Sequence, residues 1–207
     1  MEISMSSIPP AARYKLLASL VVPRPIAWVT TMDGRGRVNA APYSFFNLFG
    51  SDPAMLALAP GNRRHAAQGE QAVMKDTARN IRETGEFVVH MVTNDLMDGM
   101  LATSLPVEAG VDELEMAGLE TAAAVAVRVP RIAAAAAAFE CREIQTIEIG
   151  GNRLVVGEVL HVHARDGLVE EGSLHVDPKV WSPVGRMSSP DWYCRTTDVF
   201  RASPAAR

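Results

Sequence analysis

The chain has few of the residues that build several common sites. It carries only two cysteines in 207 residues, Cys141 and Cys194, and neither belongs to a CxxC pair. Two isolated thiols do not make a disulfide framework. Its five histidines show no HExxH or related spacing, so no zinc or iron site is expected. There is no block of lysine or arginine. Net charge is −4 and the pI is about 5.7, which argues against nucleic acid as a partner. No apolar run is long and uncharged enough to span a bilayer. The opening residues MEISMSSIPPAARYK lack the apolar core of a secretory signal. A cytoplasmic protein without a membrane partner is expected. Neither a G-x-S-x-G elbow nor a triad is evident. DGRGRVN has a glycine pair, but it sits in a turn and lacks the third small residue before a helix. It is no dinucleotide fingerprint.

What is present reads as a globular, strand-rich domain. The apolar fraction is 48% and the charged fraction 21%. Ile26–Met32 and Val38–Tyr43 form β-rich runs around the turn Asp33-Gly34-Arg35-Gly36, which predicts a hairpin. PAMLALA (53–59) reads as a short buried strand. KDTARNIRETG predicts the best helix, with Asp76 or Thr77 as its cap, Ala78 and Ile81 inward, and Gly85 as its stop. A shorter helical stretch is expected near Tyr14–Leu20, and another in NDLMDGMLATS after a capping Asn94. A last helical piece falls around Asp112–Met116. EFVVHMV (86–92) reads as a strand. The alanine run at 133–138 favours helix by propensity. The alternation of Phe139, Cys141, Ile147 and Ile149 and the GGN turn favour a strand over 135–149, returning through RLVVGEVLHVHARD. The count of strands, in hairpins, predicts a small antiparallel barrel with helices outside it. An arm (1–22), a barrel (23–176) and a C-terminal extension (177–207) follow, the extension packing on the barrel or on a partner.

Two stretches invite chemistry. In NAAPYSFFN (39–47), the small Ala40 and Ala41 would let a flat ring lie close to the backbone. Pro42 lacks an N–H and so avoids a central ladder. Asn39 and Ser44 could read a polar edge. The alternative is a core strand with Phe45, Phe46 and Phe49 packed and Ser44 in a turn. At the start of the KDT helix, free N–H groups, Lys75 and the Thr77 hydroxyl could receive a phosphate, with Asp76 capping or pairing. An ordinary N-cap is the alternative. Arg24 stands between Pro23 and Pro25, where its guanidinium would be held in place for a phosphate, a carboxylate or a surface ion pair. Trp28 and Thr30 share one face of their strand, Val29 and Thr31 the other. His161 and His163 share a strand face, as partly buried histidines or near a ligand, and His90 reads as core or interface. Arg35, Arg37, Arg63 and Arg64 are candidates for a 2′-phosphate.

Taken in order, PRPIAWVTTMDGRGRVNAAPYSFFNLFGSDPAMLALAP, KDTARNIRETGEFVVHMV and FECREIQ…NRLVVGEVLHVHARDG resemble the flavin reductase-like, FMN-binding split-barrel family. The resemblance runs from about Pro23 to Phe200, and 104–120 with VWSPVGRMSSPDWY fits the family's longer branch. Ser188, Ser189 and Pro190 depart from a more usual glycine-rich tail. The resemblance implies a mainly β protein, a six-stranded antiparallel split barrel with flanking helices, assembled as a homodimer with FMN near the interface. It implies that Asn39, Pro42, Tyr43, Ser44, Phe45 and Phe46 line the flavin, that Lys75, Asp76 and Thr77 mark the phosphate end, and that Arg24, Thr30 and Thr31 assist. The activity it implies is NAD(P)H-dependent flavin reduction, with hydride passing from nicotinamide to flavin N5, for which no protein acid or base is obligatory. A monooxygenase component could receive the reduced flavin. A flavin electron carrier with a protein partner, or a module for another cofactor such as haem or pyridoxal phosphate, are the rival readings.

Overall fold

The computed structural model describes residues 1–62, 73–107 and 111–203; Arg63 and Arg64 lie outside them. The arm carries α1 (Pro10–Leu20), which starts four residues before the expected Tyr14 because a proline is well placed in a first helical turn. Then come β1 (Ala27–Met32), β2 (Val38–Tyr43), β3 (Phe46–Ser51) and β4 (Ala54–Leu58). After α2 (Asp76–Thr84) and β5 (Glu86–Met91), a 3-10 turn (Asn94–Leu96) leads into α3 (Met97–Ala102), followed by α4 (Glu113–Met116). The pairs β6 (Thr121–Ala122) with β7 (Arg131–Ile132) and β8 (Ala137–Ile149) with β9 (Asn152–Ala164) follow, and β10 (Val184–Arg186) with β11 (Tyr193–Arg195) closes the chain.

The main sheet has seven strands in the order β2-β1-β5-β8-β9-β4-β3, all antiparallel. Its two edges, β2 and β3, are consecutive in the chain and joined only by Ser44-Phe45. Side chains from every strand nevertheless meet inside: Val29, Tyr43, Leu58, Phe87, Cys141 and Val155 are buried together, with Phe46 against them. The sheet therefore curls on itself and stays open at one seam, a split barrel. The seventh strand, β3, departs from the expected six. Its exposed Asn47, Leu48 and Phe49 and a bulge between Leu48 and Gly50 hide the period-2 signal. At Gly157 an added Cβ would meet Phe87 Cζ at 2.4 Å, so β9 can pass the buried Phe87 ring only as glycine.

Val29 faces this interior, whereas Trp28 faces a second core with Ile26, Ala40, Met100 and Leu114 outside the barrel. Trp28 Nε1 donates to Thr103 Oγ1 at 2.9 Å and anchors α3 there. The alanine run ends in a strand because Ala138 pairs with both His90 and His163 and packs under Val129; small side chains fit that contact. α2 stops at Gly85, which adopts φ +70°. Neither predicted cap operates: Lys75 occupies the N-cap position with no side-chain cap bond. Asn94 likewise caps nothing; Thr93 precedes the turn, and Asn94 Oδ1 accepts from Arg195. The C-terminal segment folds back on its own chain, with bridges Arg24–Arg186 and Thr93–Pro183. No helix of the described residues is long and apolar enough to cross a membrane.

Candidate functional site

The end of β2 runs past Pro42 and Tyr43 into Ser44-Phe45, at the open seam of the barrel. There β2 is an edge strand, as Pro42 requires. A cavity of about 460 Å³ opens beside it, within the range of small-molecule sites. Pro42, Tyr43, Ser44 and Phe45 make one wall, and Lys75 stands at the start of α2. The opposite walls come from distant parts of the chain: Asn152 and Arg153 of the β8–β9 hairpin, and Arg186, Asp191 and Tyr193 of the C-terminal hairpin. Tyr14 of α1, Asn62 and Ser104 complete the polar lining. A second cavity of about 320 Å³ shares Ser44 and Phe45 and runs to Arg24, Phe46 and the apolar side of α1.

The electrostatics of the larger cavity are cationic. Lys75 Nζ lies 5.2 Å from the centre of the Tyr43 ring. Arg186 lies 4.5 Å over Tyr193 and donates to the Pro190 carbonyl. Arg153 pairs with Glu148 at 2.9 Å and donates to Asn62 Oδ1 at 3.3 Å. Against these three cations stand Asp191 in the lining and Glu148, which pairs with Arg153. An anion's charge can be compensated here, while the Tyr43, Phe45 and Tyr193 rings offer apolar cover for a planar group.

Other predicted site residues are placed elsewhere. Asn39 and Thr77 are buried behind Tyr43 and line neither cavity. Tyr43 Oη donates to Thr77 Oγ1 at 2.9 Å, and Thr77 in turn is 3.0 Å from the Asn39 amide. Asp76 pairs with Arg79 at 2.5 Å. Thr30 is fully buried and donates to the Pro130 carbonyl at 2.7 Å; Thr31, equally buried, accepts from Asn80 Nδ2 at 3.1 Å. Both hold elements together and neither lines either of these two cavities. Arg24 stands in the lining of the second cavity. Its guanidinium donates to the carbonyls of Ala18, Val21 and Met187 and to Ser44 Oγ, so it ties arm, seam and tail together. Burial pushes its pKa down. Phe45 lies 5.9 Å beneath that guanidinium and is 46% exposed, while Phe46 packs on the core. Arg37 is held by Asp33 at 2.7 Å and lines neither of these two cavities.

His90 and His163 serve the fold. His90 is fully buried, and burial pushes it down to about 4, so it is neutral near pH 7. Its Nδ1–H donates to the Trp28 carbonyl at 2.8 Å and its Nε2 accepts from Ile132 N–H at 2.9 Å. His163 lies 2.5 Å from buried Glu140, with the His161 ring 4.8 Å away.

A planar ring with a phosphate tail fits this cavity in volume, in donor chemistry and in aromatic cover. Comparison with known proteins gives the family. Residues 19–182 match the family model described as flavin reductase like domain. A protein of Deinococcus radiodurans is 43% identical over 204 residues, 96% of this chain and 87% of its own. The 2-nitrobenzoate 2-nitroreductase of Pseudomonas fluorescens superposes with a TM-score of 0.87 at 34% identity, covering 99% of this chain and 97% of that one. Component B of the nitrilotriacetate monooxygenase from Bacillus cereus does so with 0.88 at 27% identity, covering 98% of each. The chain belongs to the flavin reductase-like family of split-barrel proteins and is a flavin-related oxidoreductase.

Proposed function

We propose that the chain binds FMN in the cavity beside Tyr43 and uses NADH or NADPH to reduce it. The observation that carries this reading is the convergence of Lys75, Arg153 and Arg186 on one cavity walled by Tyr43, Phe45 and Tyr193. Phosphate charge is met by the cations. The rings and the seam backbone position the flat body and keep water from one side. FMN, when bound, supplies reversible one- and two-electron chemistry, which is why the chain needs no acid–base dyad of its own. The likeness to component B of a monooxygenase supports a flavin-consuming monooxygenase as the acceptor. The likeness to a nitroreductase supports a second reading, in which a small acceptor takes electrons at the same cavity. Homodimer assembly is part of the proposal; the exposed Phe45, Leu48 and Phe49 beside the seam support it. A cytoplasmic location accords with the two free thiols.

Anaerobic titration of the FMN-loaded protein with NADH and then NADPH tests the reading. Bleaching of the flavin band by either donor is expected. A band that yields to dithionite and to neither nicotinamide would replace the reductase with an electron carrier served by a protein partner.

A further inference from the structure

Four buried polar side chains form a continuous chain behind the cavity wall. Glu113, on α4, is 6% exposed and its Oε2 accepts from Ala40 N–H at 3.0 Å. Asn39 follows. Its amide has one sensible orientation, with Oδ1 accepting from Ala40 N–H at 3.1 Å and from Thr77 Oγ1 at 3.0 Å, and Nδ2 donating to Glu113 Oε1 at 3.3 Å. The reverse would aim an amide oxygen at a carboxylate and an NH₂ at an N–H. Thr77 has one proton. Giving it to Asn39 leaves Oγ1 as an acceptor for the Tyr43 hydroxyl at 2.9 Å. Tyr43 lines the cavity.

We propose that Glu113 is a positioning residue: as a carboxylate it fixes the direction of the chain through Asn39 and Thr77, so that Tyr43 commits its proton inward and meets a cavity ligand only as an acceptor. The chemistry is that of a single-proton relay of orientation, with no bond made or broken. An acceptor at Tyr43 selects a ligand group that donates, an imide N–H or a sugar-chain hydroxyl, both of which a flavin nucleotide carries. That consequence rests on the FMN reading; the direction of the chain does not.

Glu113→Gln tests it at near-constant shape. With the glutamine oxygen kept on Ala40 N–H, its NH₂ faces Asn39. Asn39 must turn its oxygen to meet it and present Nδ2 to Thr77, which then donates to Tyr43 Oη. The Raman doublet of tyrosine reports whether a phenol donates or accepts. Spectra are taken without flavin, at mildly alkaline pH, with Tyr43→Phe subtracted to isolate this ring from Tyr14 and Tyr193. The ratio of the higher to the lower component is expected to rise in Glu113→Gln, and to keep its wild-type value in Glu113→Asp. Asn39→Ala, which cuts the chain in the middle, provides the same reading should the glutamine variant fail to fold. An unchanged doublet in the folded Gln or Ala variant would overturn the proposal. In the FMN-loaded protein, Glu113→Gln should weaken FMN about two- to tenfold, as expected for one hydrogen bond turned donor-to-donor. A shifted doublet with no FMN binding in the wild type would sink the cofactor reading alone.

Discussion

Two glutamates, Glu140 and Glu113, lie buried against the same sheet, and their surroundings shift their pKa values in opposite directions. Glu140 of β8 is fully buried, and desolvation alone would raise its pKa. His163 and the N–H groups of Val125, Ala126 and Val127 outweigh that and hold it below the ordinary carboxylate value. The three N–H contacts are 2.7, 2.5 and 3.1 Å, and together they fasten the 125–127 loop to the barrel. Glu113 is met by fewer donors, the Ala40 N–H, its own backbone N–H and the Asn39 amide, and the nearby Asp76 and Asp112 add to its difficulty. Burial is the larger cause, and the net shift is upward. Burial is common to both; the number of donors decides the sign. A carboxylate satisfied four times is a structural rivet. One with fewer donors, at the back of a cavity wall, is better suited to orienting its neighbours.

The strongest way to break this contrast is to remove the rivet's charge. Glu140→Gln should lose roughly 3–5 kcal/mol, because one partner of a buried charge-assisted network is gone. Urea unfolding would read it; a loss under 1 kcal/mol on that scale would deny Glu140 its role. His163→Ala should cost less, ~1.5–3 kcal/mol, since three N–H donors remain. Glu113→Gln should be the mildest, within ~1 kcal/mol of wild type, because an amide can keep the Ala40 bond and removes a poorly solvated charge.

The pH dependence sharpens the comparison, because the slopes run in opposite directions. Glu140 has a lowered pKa, so its stabilisation is present above the ordinary value of 4.5 and lost as pH falls through the folded value. Glu113 has a raised pKa, so its contribution is full below 4.5 and declines as pH rises through the folded value. Wild type should thus lose its advantage over Glu140→Gln in acid, and lose ground to Glu113→Gln toward neutrality. Thermal melts across pH would show both trends. His90 acts on all three proteins alike. Its folded value near 4, against 6.5 for a free imidazole, removes stability as pH falls between the two.

The contrast also marks what could be read in the sequence. Local signals carried their elements well: the hairpin ending at Tyr43 and the helix stopped by Gly85 appear with nearly the predicted bounds. NAAPYSFFN does reach a cavity, through Pro42, Tyr43, Ser44 and Phe45. The opposite wall was not legible, because Arg153 and Arg186 are brought there by pairings remote in sequence. For Arg24 the sequence left an anion contact and a surface ion pair open, and only folding of arm and tail around it shows the carbonyls and the Ser44 hydroxyl that it donates to. Glu113 carried no signal at all. It sits in a four-residue helix, and its importance arises from contact with Ala40 and Asn39 on another element. Thr77 followed a phosphate-binding pattern by position, while its hydroxyl turns to the protein side of the wall.

The most direct test of the central claim is an equilibrium titration of FMN into wild type and Lys75→Ala, followed by quenching of flavin fluorescence. The cavity beside Tyr43 should bind FMN saturably in the wild type, and loss of the Lys75 charge should weaken it by roughly ten- to a hundredfold, the value of one charge-assisted hydrogen bond. No saturable binding, or equal affinity in the two proteins, would place the flavin elsewhere or nowhere on this chain.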